Sequence, residues 1–131
     1  LHGSHRIAGG RYLFAMPEVG IGFFPDVGAT YALPRLPGQA GTWLALTGER
    51  VRAGDALALG LATHAVPSDG LPEVEARLVA GEPVDEVLAD EAARPDRAEP
   101  PPALGEVRPV IESCFAAGSV EAILDRLDAE P

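Results

Sequence analysis

At 131 residues and 13.6 kDa, with 47% hydrophobic and 23% charged side chains, the chain is long enough for one compact domain and ordinary in composition. Its 15 Gly and 13 Pro exclude a long coiled coil, and its apolar content excludes wholesale disorder. A net charge of −10, with all ten basic residues Arg, argues against nonspecific nucleic-acid binding, which depends on cations that neutralise phosphates.

Taken in order, Arg6 to Ala8 and Tyr12 to Met16 read as short strands, the second apolar throughout and therefore expected to be buried. Pro17 ends it. Glu18 to Pro25, with Gly20 and Gly22 among apolar residues, excludes a regular helix and predicts a bent, partly buried loop. Asp26 is expected to cap a helix over Val27 to Leu33, stopped by Pro34. A second helix over Gln39 to Leu46 turns Trp43 and Leu44 to the core and ends at Thr47-Gly48. Arg52 to Leu59 reads as a third helix with Gly60 at its end, and Ala62 to Val66 as a strand entering the turn Pro67-Ser68-Asp69-Gly70.

Beyond that turn the pattern is helical. Leu71 to Val79 and Val84 to Ala92 flank Gly81-Glu82-Pro83, and Arg94 to Gly105 is a Pro-rich linker. Glu106 to Ala116 and Val120 to Ala129, the latter capped by Ser119, complete the chain. Charge divides along the same line: five acids balance five Arg as far as Pro72, and the remaining acids form a solvated helical exterior. Two parts are expected, residues 1–70 as a core and residues 71–131 as an acidic helical segment.

No uncharged run reaches the roughly 18 residues of a membrane span, so no membrane partner is expected. The opening Leu1-His2-Gly3-Ser4 lacks the order of a signal peptide and suggests a start further upstream. The single Cys114, on an apolar helix stripe, suits a core thiol and a reducing compartment, and a cytoplasmic location is expected. The common motifs are absent. There is no phosphate-binding Gly-Lys-Ser/Thr loop, no Gly-x-Ser-x-Gly elbow and no dinucleotide fingerprint. His2 and His5 lack further ligands at metal-binding spacing, so no metal is expected, and Ser4 beside His5 predicts only a local hydrogen bond.

What remains is a pair of carboxylates, Glu18 and Asp26, flanking a loop that carries Val19, Ile21, Phe23 and Phe24. A carboxylate held among apolar groups is costly to ionise and suits general acid or base work. An extended path would separate the two by roughly 26 Å, so cooperation requires the Gly-containing loop to double back.

The stretch Phe14-Ala15-Met16-Pro17-Glu18-Val19-Gly20-Ile21-Gly22-Phe23-Phe24-Pro25-Asp26-Val27-Gly28, continued by Tyr31-Ala32-Leu33-Pro34-Arg35-Leu36, resembles the crotonase superfamily. Leu46-Thr47-Gly48-Glu49-Arg50, Gly60-Leu61-Ala62-Thr63-His64 and Ile111-Glu112-Ser113-Cys114-Phe115 extend the likeness, which is greatest for the 3-hydroxyisobutyryl-CoA hydrolase branch. The Phe-Pro-Asp element distinguishes that branch, since hydratases and isomerases typically carry Gly where Asp26 stands. The resemblance implies an α/β chain with part of the crotonase-like (ClpP/crotonase) spiral fold, short strands followed by mostly helices.

It also implies hydrolysis of a short hydroxyacyl-CoA thioester in valine breakdown, with Glu18 as nucleophile or base and Asp26 orienting substrate or water. CoA is then part of the substrate, no separate cofactor is implied, and no CoA-contacting residue is assigned. Family members bind the thioester oxygen through two backbone N–H groups, which the resemblance places ahead of Leu1, and each such donor is worth about 10²- to 10³-fold in turnover. The stretch is therefore expected to be a piece, inactive alone, of an enzyme roughly threefold longer. Its apolar faces would lack partners and favour association, including a homo-oligomer. An enoyl-CoA hydratase or isomerase, and a noncatalytic module, are the alternatives.

Overall fold

The computed structural model describes residues 2–94 and 102–130. In chain order these form β1 (Ile7–Ala8), β2 (Leu13–Phe14), a 3₁₀ turn at Pro17–Ile21, α1 (Ala29–Ala32), 3₁₀ turns at Leu33–Arg35 and Pro37–Gln39, and α2 (Ala40–Thr47). There follow β3 (Val51–Arg52), α3 (Ala53–Ala58), β4 (His64–Ala65), α4 (Leu71–Val79), α5 (Val84–Ala92), α6 (Arg108–Cys114) and α7 (Val120–Asp128). They make two compact units that interleave along the chain: Phe14–Val51 with the stretch from Ala103, and His2–Leu13 with Arg52–Pro102. Compactness thus does not follow the change of composition at residue 70.

In the first unit, α2 carries the packing. Leu44 is fully buried, and Trp43 lies against a cluster of Ile111 and Cys114 from α6, Phe115 at its C-cap and Ile123 from α7. Cys114 is a buried core thiol. Gly41 lets α2 approach the 3₁₀ turn at Leu33–Arg35 so closely that a Cβ there would lie 1.7 Å from the Leu33 carbonyl oxygen. Gly48, at φ 67°, ends α2 with its N–H donating to the Leu44 carbonyl at 3.0 Å. Arg126 joins the last two helices by donating to the Ser113 carbonyl at 2.6 Å.

Ser119 caps α7 by accepting from the Ala122 N–H at 3.2 Å. Hydrogen bonds from its own backbone N–H and from Ser119 hold the Glu121 carboxyl below the usual carboxylate range. Because that group binds its proton less readily when folded, its contribution is present above the ordinary carboxylate pKa and is lost as pH falls. Ser119→Ala is expected to cost about 1 kcal/mol in urea unfolding at neutral pH. An unchanged midpoint would show that α7 needs no cap.

In the second unit, β1 and β4 pair in parallel, Ile7 with His64 and Ala8 with Ala65. Val66, Val74, Val87 and Leu88 form the core, with Ile7, Leu71 and Val84 around it, so the apolar faces of α4 and α5 close on each other. Arg77 ties these helices by bonding Glu82 and Asp90, each at 2.8 Å. Arg6 donates to the Leu61 and Gly60 carbonyls, each at 2.9 Å, and so satisfies acceptors just beyond α3.

Several expectations are corrected. β2 is not buried, for Leu13 is 50% exposed. Helix α1 is a single turn, and Pro34 does not end the helical path, because a proline near the start of a 3₁₀ turn loses no hydrogen bond. Part of the expected linker, residues 95–101, lies outside the described residues. Among the described residues no helix is long and apolar enough to cross a membrane.

Candidate active site

Pro17 sits at the first position of its 3₁₀ turn, where a missing N–H costs nothing, and Glu18 follows it. Gly22, at φ 71°, closes the turn by donating to the Val19 carbonyl at 3.0 Å, and the Phe23 N–H returns to the Glu18 carbonyl at 3.0 Å. Each residue of such a turn advances about 2 Å, against about 3.3 Å when extended. The path from Glu18 toward Asp26 is therefore shorter than an extended one over the residues of the turn. Gly48 braces the start of the turn, for a Cβ placed on it would lie 3.2 Å from a Val19 methyl and 3.4 Å from the Pro17 Cα.

Glu18 is half-buried, and its Oε2 is shut off from solvent with no hydrogen-bond partner among the described residues. A carboxylate oxygen left so is costly, and such groups collect where chemistry needs them. Asp26 is exposed, and among the described residues no hydrogen bond joins the two carboxylates. The apolar surroundings expected of the pair are only partly present. Ile21 is 84% exposed, and Phe23 and Phe24 stack on each other at 4.4 Å but are 48% and 61% exposed.

Asp26 does not cap α1. The helix starts two residues later than the sequence predicts, with Gly28 as its N-cap and no side-chain cap bond. Val27, at φ 44°, and Gly28, at φ 83°, both lie in the left-handed region, which composition around a β-branched residue does not announce. Beneath this corner is an apolar cavity of about 400 Å³, lined by Pro25, Ala29, Leu33, Thr42, Leu46 and Ile123 among others.

In the second unit, the Ser4 Oγ lies 3.0 Å from His5 Nδ1, the local bond expected, and His5 Nε2 meets Asp85 at 2.9 Å. Sequence reading missed Asp85 because it lies 80 positions away. It is 87% exposed, so the pair is a solvated contact. Among the described residues no His, Cys, Asp and Glu cluster has the form of a metal site.

The sequence model of the enoyl-CoA hydratase/isomerase family matches residues 1–131. A 3-hydroxyisobutyryl-CoA hydrolase, mitochondrial, of Xenopus tropicalis is 46% identical over 133 residues, covering 97% of this chain and 34% of the relative. The human protein of the same name is 42% identical over 137 residues, covering 99% of this chain and 35% of its own length. Among solved structures, a carnitinyl-CoA dehydratase from Mycobacterium thermoresistibile superposes with a TM-score of 0.85 at 41% identity, over 98% of this chain and 36% of that one. An enoyl-CoA hydratase from Rhodobacter sphaeroides does so with a TM-score of 0.81 at 39% identity, over 99% and 36%.

The chain thus spans about a third of the length of the curated relatives it matches. The cytoplasmic location expected from the sequence does not stand, because the frog, rat and human relatives are named mitochondrial. A match along the full chain, relatives above 40% identity and two close superpositions agree: this chain belongs to the enoyl-CoA hydratase/isomerase, or crotonase, family and has part of the crotonase fold.

Proposed function

We propose that the chain is the carboxylate-bearing part of an acyl-CoA thioester hydrolase whose substrate is 3-hydroxyisobutyryl-CoA, a place in valine breakdown following from that substrate. The observation that carries the reading is the Oε2 of Glu18, buried and, among the described residues, unpartnered on its 3₁₀ turn. Glu18 either attacks the thioester carbonyl, breaking the C–S bond to release CoA thiolate and leave an acyl anhydride that water hydrolyses to the free acid, or takes a proton from the water that attacks the carbonyl and displaces the same thiolate, which leaves as the thiol on gaining a proton; Asp26 orients substrate or water. Backbone N–H donors stabilise the developing oxyanion. CoA enters as part of the substrate, and no further cofactor is required. The cavity beside Pro25 has the apolar lining to receive a small branched acyl group.

The names of the superposed structures, a dehydratase and a hydratase, favour a second reading, addition of water to an enoyl-CoA. The Phe24-Pro25-Asp26 element supports hydrolysis instead, as do the names of the curated relatives. The test is a chimera in which this chain replaces the matching residues of the Xenopus tropicalis relative. It should release free thiol from 3-hydroxyisobutyryl-CoA, followed with a thiol-reactive dye. Loss of enoyl absorbance from a 2-enoyl-CoA without thiol release would establish the hydratase reading.

A further inference from the structure

We propose that Val27 is a positioning residue, whose left-handed backbone, continued by Gly28, holds Asp26 off the start of α1 and leaves its carboxylate free for the thioester. The inference rests on the reading of Asp26 as a site acid.

Two local arrangements compete here. With Val27 and Gly28 helical, α1 would begin at Val27, and Asp26 would cap it by accepting from the N–H of residue 28 or 29. That arrangement satisfies every local preference, and it is the one the sequence predicts. The structure takes the other. The Ala29 N–H donates at 2.8 Å to the main-chain carbonyl of Asp26, and the Tyr31 and Ala32 N–H groups both go to the Gly28 carbonyl at 3.1 Å. The Asp26 carboxylate is left exposed with no helix to cap.

The cost falls on Val27. A β-branched residue at φ 44° brings its Cβ against its own backbone. Burial of the isopropyl group does not explain it, since Val27 is 77% exposed. Strain of this kind persists only where the surroundings impose it, and it collects beside working groups. The neighbours impose it on both sides: buried Pro25 anchors the chain before Asp26, and fully buried Ala29 anchors it after Gly28.

Two substitutions separate the arrangements. Asparagine tolerates a positive φ, so Val27→Asn in the 131-residue chain should raise the melting midpoint by about 3 °C. Gly28→Ala places a Cβ at φ 83°, favours the helical alternative and turns Asp26 into a cap. Hydrogen exchange at the residue-28 amide should then slow by about tenfold. In the chimera, kcat for thiol release should fall about tenfold or more with KM within about twofold, since only the aim of Asp26 is lost.

A Val27→Asn chain that melts no higher than its parent would overturn the proposal. So would a Gly28→Ala chimera that keeps its kcat while Asp26→Asn loses it. Thiol release retained in Asp26→Asn would overturn the acid reading and the role built on it, and the melting and exchange results would still decide the backbone claim.

Discussion

Gly41→Ala is expected to unfold the chain at room temperature. The added Cβ would fall 1.7 Å from the Leu33 carbonyl oxygen, 2.2 Å from its carbon and 2.9 Å from its Cα, all backbone atoms that cannot rotate aside. Helix α2 would have to move away from the 3₁₀ turn at Leu33–Arg35, opening the packing around fully buried Leu44 and Ala29. A cost of about 4 kcal/mol or more follows, a large part of the stability of an ordinary small domain. Gly20→Ala is the control, because a Cβ added there would meet nothing within 4 Å. Urea unfolding followed by circular dichroism should show Gly20→Ala near the parent and Gly41→Ala without a folded baseline. Equal midpoints for the two would contradict the close approach of α2.

Glu18→Gln should have the largest effect on chemistry. The substitution keeps size and shape, removes the charge, and leaves a group that neither attacks a thioester nor accepts a proton from water. Thiol release by the chimera should fall about 10²- to 10⁴-fold. Stability should move the other way. A buried carboxylate oxygen without a partner burdens the folded state, so a neutral amide there should melt no lower than the parent. Loss of activity together with a collapse in stability would instead make Glu18 a structural residue.

How much was legible in the sequence depended on whether local chemistry agreed with packing. Helices α4 and α5 begin and end where expected because Gly70, Gly81 and Pro83 punctuate two amphipathic runs, and tertiary contacts reinforce that pattern. Ser119 caps α7 for the same reason. The start of α1 was not legible. Asp26-Val27 reads as cap and first helical residue, whereas Val27 and Gly28 form a left-handed turn between buried Pro25 and Ala29.

The candidate site shows the same division. The motif marks Glu18 and Asp26, and Gly20 and Gly22 between them allow the chain to turn. Pattern could not show that one Glu18 oxygen is enclosed while Phe23 and Phe24 face outward, since burial depends on what packs over the loop. The His5–Asp85 contact was out of reach because its partners are distant in the chain.

The most direct measurement for the pair of acids is a double-mutant cycle in the chimera, with thiol release from 3-hydroxyisobutyryl-CoA measured for Glu18→Gln, Asp26→Asn and both together. If the two carboxylates serve one reaction, the double variant should be about as slow as the worse single one, because removing either disables the same step. Losses that multiply, or release that survives in the double variant, would contradict the assignment of Glu18 and Asp26 to a single hydrolytic site.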